Sequence, residues 1–139
     1  MKTFAALAAL AAAGTALAGP ITVGNLVVYR VGIGSGNLVN TGNAVFLDEY
    51  TPSGTLVQSI AMPTAASGSN KQLIASGTAS SEGFLTVSPN GQYVTLTGYA
   101  VNPGGTTSLT ATTAARTIGI LDVTTGVVDT TTEIGRAHV

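Results

Sequence analysis

Cysteine does not occur anywhere in this sequence. Small exported domains commonly staple thin cores with disulfides, so a chain without them must be held by a large closed β structure or by oligomerisation. The same absence removes the thiolate ligands that zinc and iron–sulfur sites usually use. Charge is scarce too: Asp, Glu, Lys and Arg together make up 8% of residues. From Gly19 to Thr132, Arg30, Lys71 and Arg116 stand against Asp48, Glu49, Glu82, Asp122 and Asp129, a balance of −2. No basic patch exists to follow a phosphate backbone, which argues against nucleic acid as a partner. Histidine occurs once, at His138. Without another His and without Cys, no Ser–His–Asp or Cys–His site can be assembled from the residues before the C-terminal segment.

What is present begins with an export signal. Lys2 supplies a short positive start, Phe4 to Ala13 is an unbroken apolar stretch, and "ALA" at Ala16, Leu17 and Ala18 places small residues where a signal peptidase reads. The apolar run falls short of the ~20 residues a bilayer helix needs, and Gly14, Thr15 and Pro20 interrupt it. Residues 1–18 are therefore expected to be a signal-peptide helix cut after Ala18. The expected localisation is secreted, with no membrane span.

After Ala18 the hydrophobic period is two. "ITVGNLVVYRV" (Ile21–Val31) predicts a strand ending at the glycine cluster "GIGSGN". "AVFLDEY", "TPSG" and "TLVQSIAMP" predict strand, turn, strand, with Pro52 pre-setting φ and Gly54 free to take a positive one. "TAASGSNKQ" reads as a loop. "FLTVSPNGQYVTLTGY" (Phe84–Tyr99) is the clearest hairpin, bending at "SPNG". "VNPGGTTSLTATTAA" is low-complexity and reads as a mobile loop, and "TIGILDV", "TTG", "VVDTTT" form a third hairpin. The expected fold is all-β, built of antiparallel hairpins. Strand–"SPNG"–strand followed by Tyr suits the inner and middle strands of a propeller blade. At ~40–45 residues per blade, residues 19–132 supply the first two to three blades of an incomplete β-propeller, since closed rings take about four to eight.

Several residues invite chemical roles. Asp48 and Glu49 are adjacent, and a glycosidase pair must flank one bond at about 5–9.5 Å. Neighbours on a strand point to opposite faces, Asp48 with Phe46 and Tyr50, Glu49 with Val45 and Leu47. They are expected to be structural, one solvated and the other meeting Arg30 or a backbone N–H. Arg30, in line with Leu26 and Val28, is expected to pair with Asp48 or Glu49. "GIGSGN" (Gly32–Asn37) has glycines of a phosphate loop, but "LVNTGNAVFL" follows instead of a helix, so it is expected to be a turn. Glu82 in "SSEGF" suits a ligand-site loop or a solvated turn. Asp122 and Asp129 flank "VTTGVV" and can approach across a hairpin, without the six to eight oxygens that calcium requires. No catalytic, cofactor-binding or metal-binding residue is assigned.

Two resemblances complete the reading. "EIGRAHV" (133–139) can be encoded as GAG ATC GGA AGA GCA CAC GTC, which resembles translated sequencing adapter, with TGA as the next codon. Residues 133–139 are accordingly expected to be non-native, and Arg136 and His138 are given no functional role. "NLVVYRVG", "FLDEYTPSGTLVQSI", "SGTASSEG" and "LTVSPNGQYVTLTGY" resemble the N-terminal part of a family of secreted, uncharacterised proteins. The likeness covers Gly24–Tyr99, and more loosely Arg116–Thr132. It implies a longer β-propeller of which residues 19–132 are a truncated part, and it transfers no catalytic residue. The function expected is non-catalytic binding of an extracellular ligand, glycan or protein. The alternatives are a propeller hydrolase or lyase with its site elsewhere in a longer chain, and a short self-contained β protein.

Overall fold

The computed structural model describes residues 18–111 and 114–135. The signal segment except Ala18, and Arg136 and His138, lie outside the described residues. Eight antiparallel strands carry the fold: β1 (Leu26–Val31), β2 (Asn43–Tyr50), β3 (Leu56–Ala61), β4 (Ile74–Ala75), β5 (Thr86–Val87), β6 (Tyr93–Tyr99), β7 (Arg116–Asp122) and β8 (Val128–Ile134). The three expected hairpins are β2–β3, β5–β6 and β7–β8. Their bends follow from turn chemistry. Gly54 takes φ 86° in "TPSG" and Gly91 takes φ 71° in "SPNG", conformations that a Cβ disfavours.

The strands form two meanders. β1–β2–β3 pair in sequence order, as do β5–β6–β7–β8, and β4 joins them. Asn43 and Ala44 of β2 pair with Ala75 and Ile74, while Ile74 also faces Tyr99 of β6. The result is one open eight-stranded sheet.

Alternation decides what is buried. Val45 and Leu47 of β2 and Ile60 of β3 pack with Val94 and Leu96 of β6 and Leu121 of β7, and Met62 and Leu73 fill the space between. Each such side chain contributes ~1.5–3 kcal/mol by leaving water. Gly98 and Gly119 lie on this inner face and make room for Leu73: a Cβ at Gly98 would sit 2.7 Å from Leu73 Cδ2 and 2.8 Å from the Ile74 carbonyl oxygen. A smaller cluster joins Ile74, Tyr99 and Leu109.

Hydroxyls tie the loop before β4 to the sheet. Thr117 and Thr130, both fully buried, donate to the carbonyls of Gln72 (2.6 Å) and Lys71 (2.9 Å). Asn70 Oδ1 accepts from Thr130 N at 3.0 Å.

Two expectations need correction. Ile21–Asn25 is a strap, not the start of β1. Asn25 N bonds Thr22 O over Gly24 (φ 92°), and Ile21 N reaches Val123 O at 2.8 Å, so the segment spans both meanders. The low-complexity stretch is anchored at Leu109. Its Leu109 is buried, starts a single 3-10 turn (Leu109–Ala111) and donates its N–H to Asn40 O. β8 runs through Glu133 and Ile134, which pair with Thr117 and Arg116.

Candidate functional site

The adjacent carboxylates of β2 part as alternation requires, but neither is solvated. Asp48 is 2% exposed and Glu49 is fully buried. On the outer face Arg30 Nε meets Asp48 Oδ2 at 2.5 Å and its Nη2 meets Oδ1 at 3.1 Å, with Ser59 Oγ donating as well. The guanidinium lies 4.1 Å from the centre of the Phe46 ring. Burial opposes charge on Asp48, but Arg30 and Ser59 outweigh it and hold the carboxyl below its ordinary value. This is the pair expected for Arg30.

Glu49 is satisfied on the inner face by groups that chain distance conceals. Thr22 N (2.8 Å), Asn25 Nδ2 (2.6 Å) and Gln58 Nε2 (2.6 Å) all donate to it. Burial again opposes ionisation, and these donors again prevail. The strap covers Glu49, whereas Arg30 and Ser59 enclose Asp48 on the other face. Both are structural anchors.

"GIGSGN" is a series of bends with Gly32, Gly34 and Gly36 at positive φ and no helix after it, a turn as expected. Glu82 is not a solvated turn residue. It is half-buried, accepts from Ser76 N and from Tyr99 Oη, each at 2.8 Å, and closes the 76–82 loop onto β6. Burial, and then the nearby Glu82 charge, push the Tyr29 phenol well above its ordinary value. Arg116 stacks 3.6 Å from the centre of the Tyr99 ring, and its Nη1 is buried without a hydrogen-bond partner.

Asp122 and Asp129 line a shared concavity. An open groove of ≈ 660 Å³ runs over the outer face of β6–β8, lined by Tyr93 and Thr95, by Ile120 and Val127, and by Asp122 and Asp129. Ser88 and Thr125 complete its rim. The register explains the set. Tyr93 faces Asp122 across β6–β7, and Ile120 faces Asp129 across β7–β8. Asp122 accepts from the Thr124 hydroxyl (2.6 Å) and from the Thr124 and Thr125 N–H groups, which together hold it below its ordinary value. Asp129 is held low by the Thr131 N–H at 2.7 Å.

The sequence places these two aspartates near each other but gives no sign that Tyr93 and Thr95 join them. The signal lies in strand pairing: outward positions of β6, β7 and β8 share one face only once the register is known. No group of three or more His, Cys, Asp or Glu suited to a metal ion occurs among the described residues. No helix among them is long and apolar enough to cross a membrane. No protein-family model, curated protein or solved structure matches this chain.

Proposed function

We propose that this chain is a secreted, non-catalytic binding module, built from the opening blades of a β-propeller, that presents the groove on β6–β8 to an extracellular ligand. The groove carries this reading. It combines an aromatic ring, aliphatic floor, hydroxyls and two ionised carboxylates in a volume within the ~300–1,000 Å³ of small-molecule sites. It lies on the face turned away from the core, so a ligand can enter without unpacking the protein. The blade reading is supported by the four-strand meander β5–β8. Export is supported by the pattern of residues 1–18.

The test is an amide-resolved NMR titration of the purified full chain with a panel of oligosaccharides, short peptides and small amines. Ligand-induced shifts concentrated at Tyr93, Thr95, Ile120 and Asp129 are the expected result. Shifts confined to another face, or turnover of a panel member, would count against it. Mass spectrometry of the exported product checks the cut, expected before Gly19.

A further inference from the structure

We infer that the groove takes a small aliphatic diamine or polyamine, with its ammonium groups held by Asp122 and Asp129 and its methylene chain over Ile120 and Val127. This rests on the groove being the binding site and adds the class of ligand. Three features of the lining point the same way.

The first is charge. Two carboxylates line the groove and, among the described residues, no Lys or Arg does. The second is hydrogen-bond polarity. Ser88 Oγ donates to Asn90 Oδ1 at 2.7 Å, and Thr95 Oγ1 donates to Thr86 O at 3.0 Å. Both hydroxyl protons are thus spent within the fold, and since Ser88 Oγ also accepts from the Tyr93 N–H, it is chiefly Thr95 that offers lone pairs to the groove. Ionised carboxylates offer only acceptors as well. The Tyr93 and Thr125 hydroxyls can still donate, but the two carboxylates and Thr95 favour a donor-rich ligand, and an ammonium group has three donors and no acceptor. The Tyr93 ring adds an electron-rich face that attracts a cation.

The third feature is spacing, and it favours two ammonium groups over one. Asp129 faces Ile120, and Asp122 lies two residues further along β7. With a rise of ~3.4 Å per residue and ~4.8 Å between strands, their Cα atoms are ~8 Å apart on the diagonal. The floor between them includes Ile120, with Val127 beside it, and suits methylenes rather than further polar groups. A lysine side chain satisfies one carboxylate and leaves the other facing an apolar stem. A diamine satisfies both, and linking two weak contacts raises affinity without any new contact.

The experiment titrates the full chain with butane-1,4-diamine, spermidine, n-butylamine and a lysine-rich peptide, following groove amides by NMR at low and physiological salt. The diamine and spermidine are expected to shift Tyr93, Thr95, Ile120 and Asp129, with n-butylamine about tenfold weaker or more. Added salt should weaken binding, because the groove is open to solvent. Asp129→Asn keeps an acceptor for the Thr131 N–H and should lower diamine affinity about tenfold with only a small fall in melting temperature. Asp122→Asn should act likewise, although its turn contacts make Asp129→Asn the safer variant. Equal binding by n-butylamine, no loss in Asp129→Asn, or tighter binding of the lysine-rich peptide than of spermidine would each overturn the assignment. If all amines fail while a neutral oligosaccharide shifts the same residues, the ligand class falls and the groove stands. If nothing moves the groove, both fall.

Discussion

Glu49 and Gln58 face each other across β2 and β3, and the amide of Gln58 donates to the buried carboxylate at 2.6 Å. The same Gln58 holds the strap, accepting from Gly19 N at 3.0 Å and donating to Gly19 O and Pro20 O, each at 3.2 Å. One residue pair therefore fastens the beginning of the described chain to the core. Glu49→Ala strands the Thr22 N–H and the Asn25 and Gln58 amides, at a cost of about 2–4 kcal/mol. Chemical denaturation should show that loss, and hydrogen exchange should show Ile21 and Thr22 losing protection.

Acid should act through the same group. The folded pKa values of Asp48 and Glu49 lie below their ordinary 3.8 and 4.5. Their contribution is therefore complete above those ordinary values and is lost as pH falls through the lowered ones. Asp122 and Asp129 add to the trend with the same sign. The melting temperature is expected to stay level from neutral pH to about 5 and then fall, with a shallower fall in Glu49→Gln.

The outer-face pair should respond asymmetrically. Arg30→Ala leaves Asp48 buried without its guanidinium and should cost about 3 kcal/mol. Arg30→Lys should not recover this, because an ammonium cannot make the two parallel contacts. Replacing both partners together, as Arg30→Met with Asp48→Leu, should be close to neutral. A double-mutant cycle in denaturant separates these outcomes.

Leu73 and its two glycines form a fitted unit. Gly98→Ala drives a methyl against Leu73 and the Ile74 carbonyl, so a loss of about 1–3 kcal/mol is expected. Leu73→Ala should cost about 2–5 kcal/mol through the cavity it leaves. At Gly119 the nearest atoms are side-chain carbons of Leu73 and Leu96, which can yield. Gly119→Ala combined with Leu73→Ala should therefore lose less than the sum of the single changes, as judged by melting.

Thr117→Val tests the loop ties. Val matches Thr in shape but leaves the Gln72 carbonyl unpaired in the interior, with an expected loss of about 1–2 kcal/mol. Thr131→Val, at an exposed position of β8, should change stability by less than about 0.5 kcal/mol.

The hairpins were legible because their signals are local. Pro52 with Gly54, and "SPNG" between alternating apolar residues, define turns within a few positions. The Arg30–Asp48 pair was legible for a related reason, since adjacent hairpin strands bring few candidates together. What is not legible in the sequence depends on distant partners. Ile74–Ala75 is too short to show a period, yet it joins the meanders. Thr117 and Thr130 look like any other Thr in a Thr-rich chain until Gln72 and Lys71 are placed beside them. Leu109 lies in a low-complexity stretch whose composition hides one anchoring side chain. Glu49 is the clearest case, because a carboxylate in a polar "DEY" triplet is buried only by the strap folding over it.

The two-residue rung at Ile74–Ala75 has a kinetic consequence. Hairpin contacts close between near neighbours in the chain, whereas Ala44 meets Ile74, and Ile74 meets Tyr99, only after long loops have been drawn in. Each meander can zip by itself, and the seam between them closes last. The shared core of Val45, Leu47, Val94, Leu96 and Leu121, rather than the few paired residues of the seam, is then what locks the two meanders together.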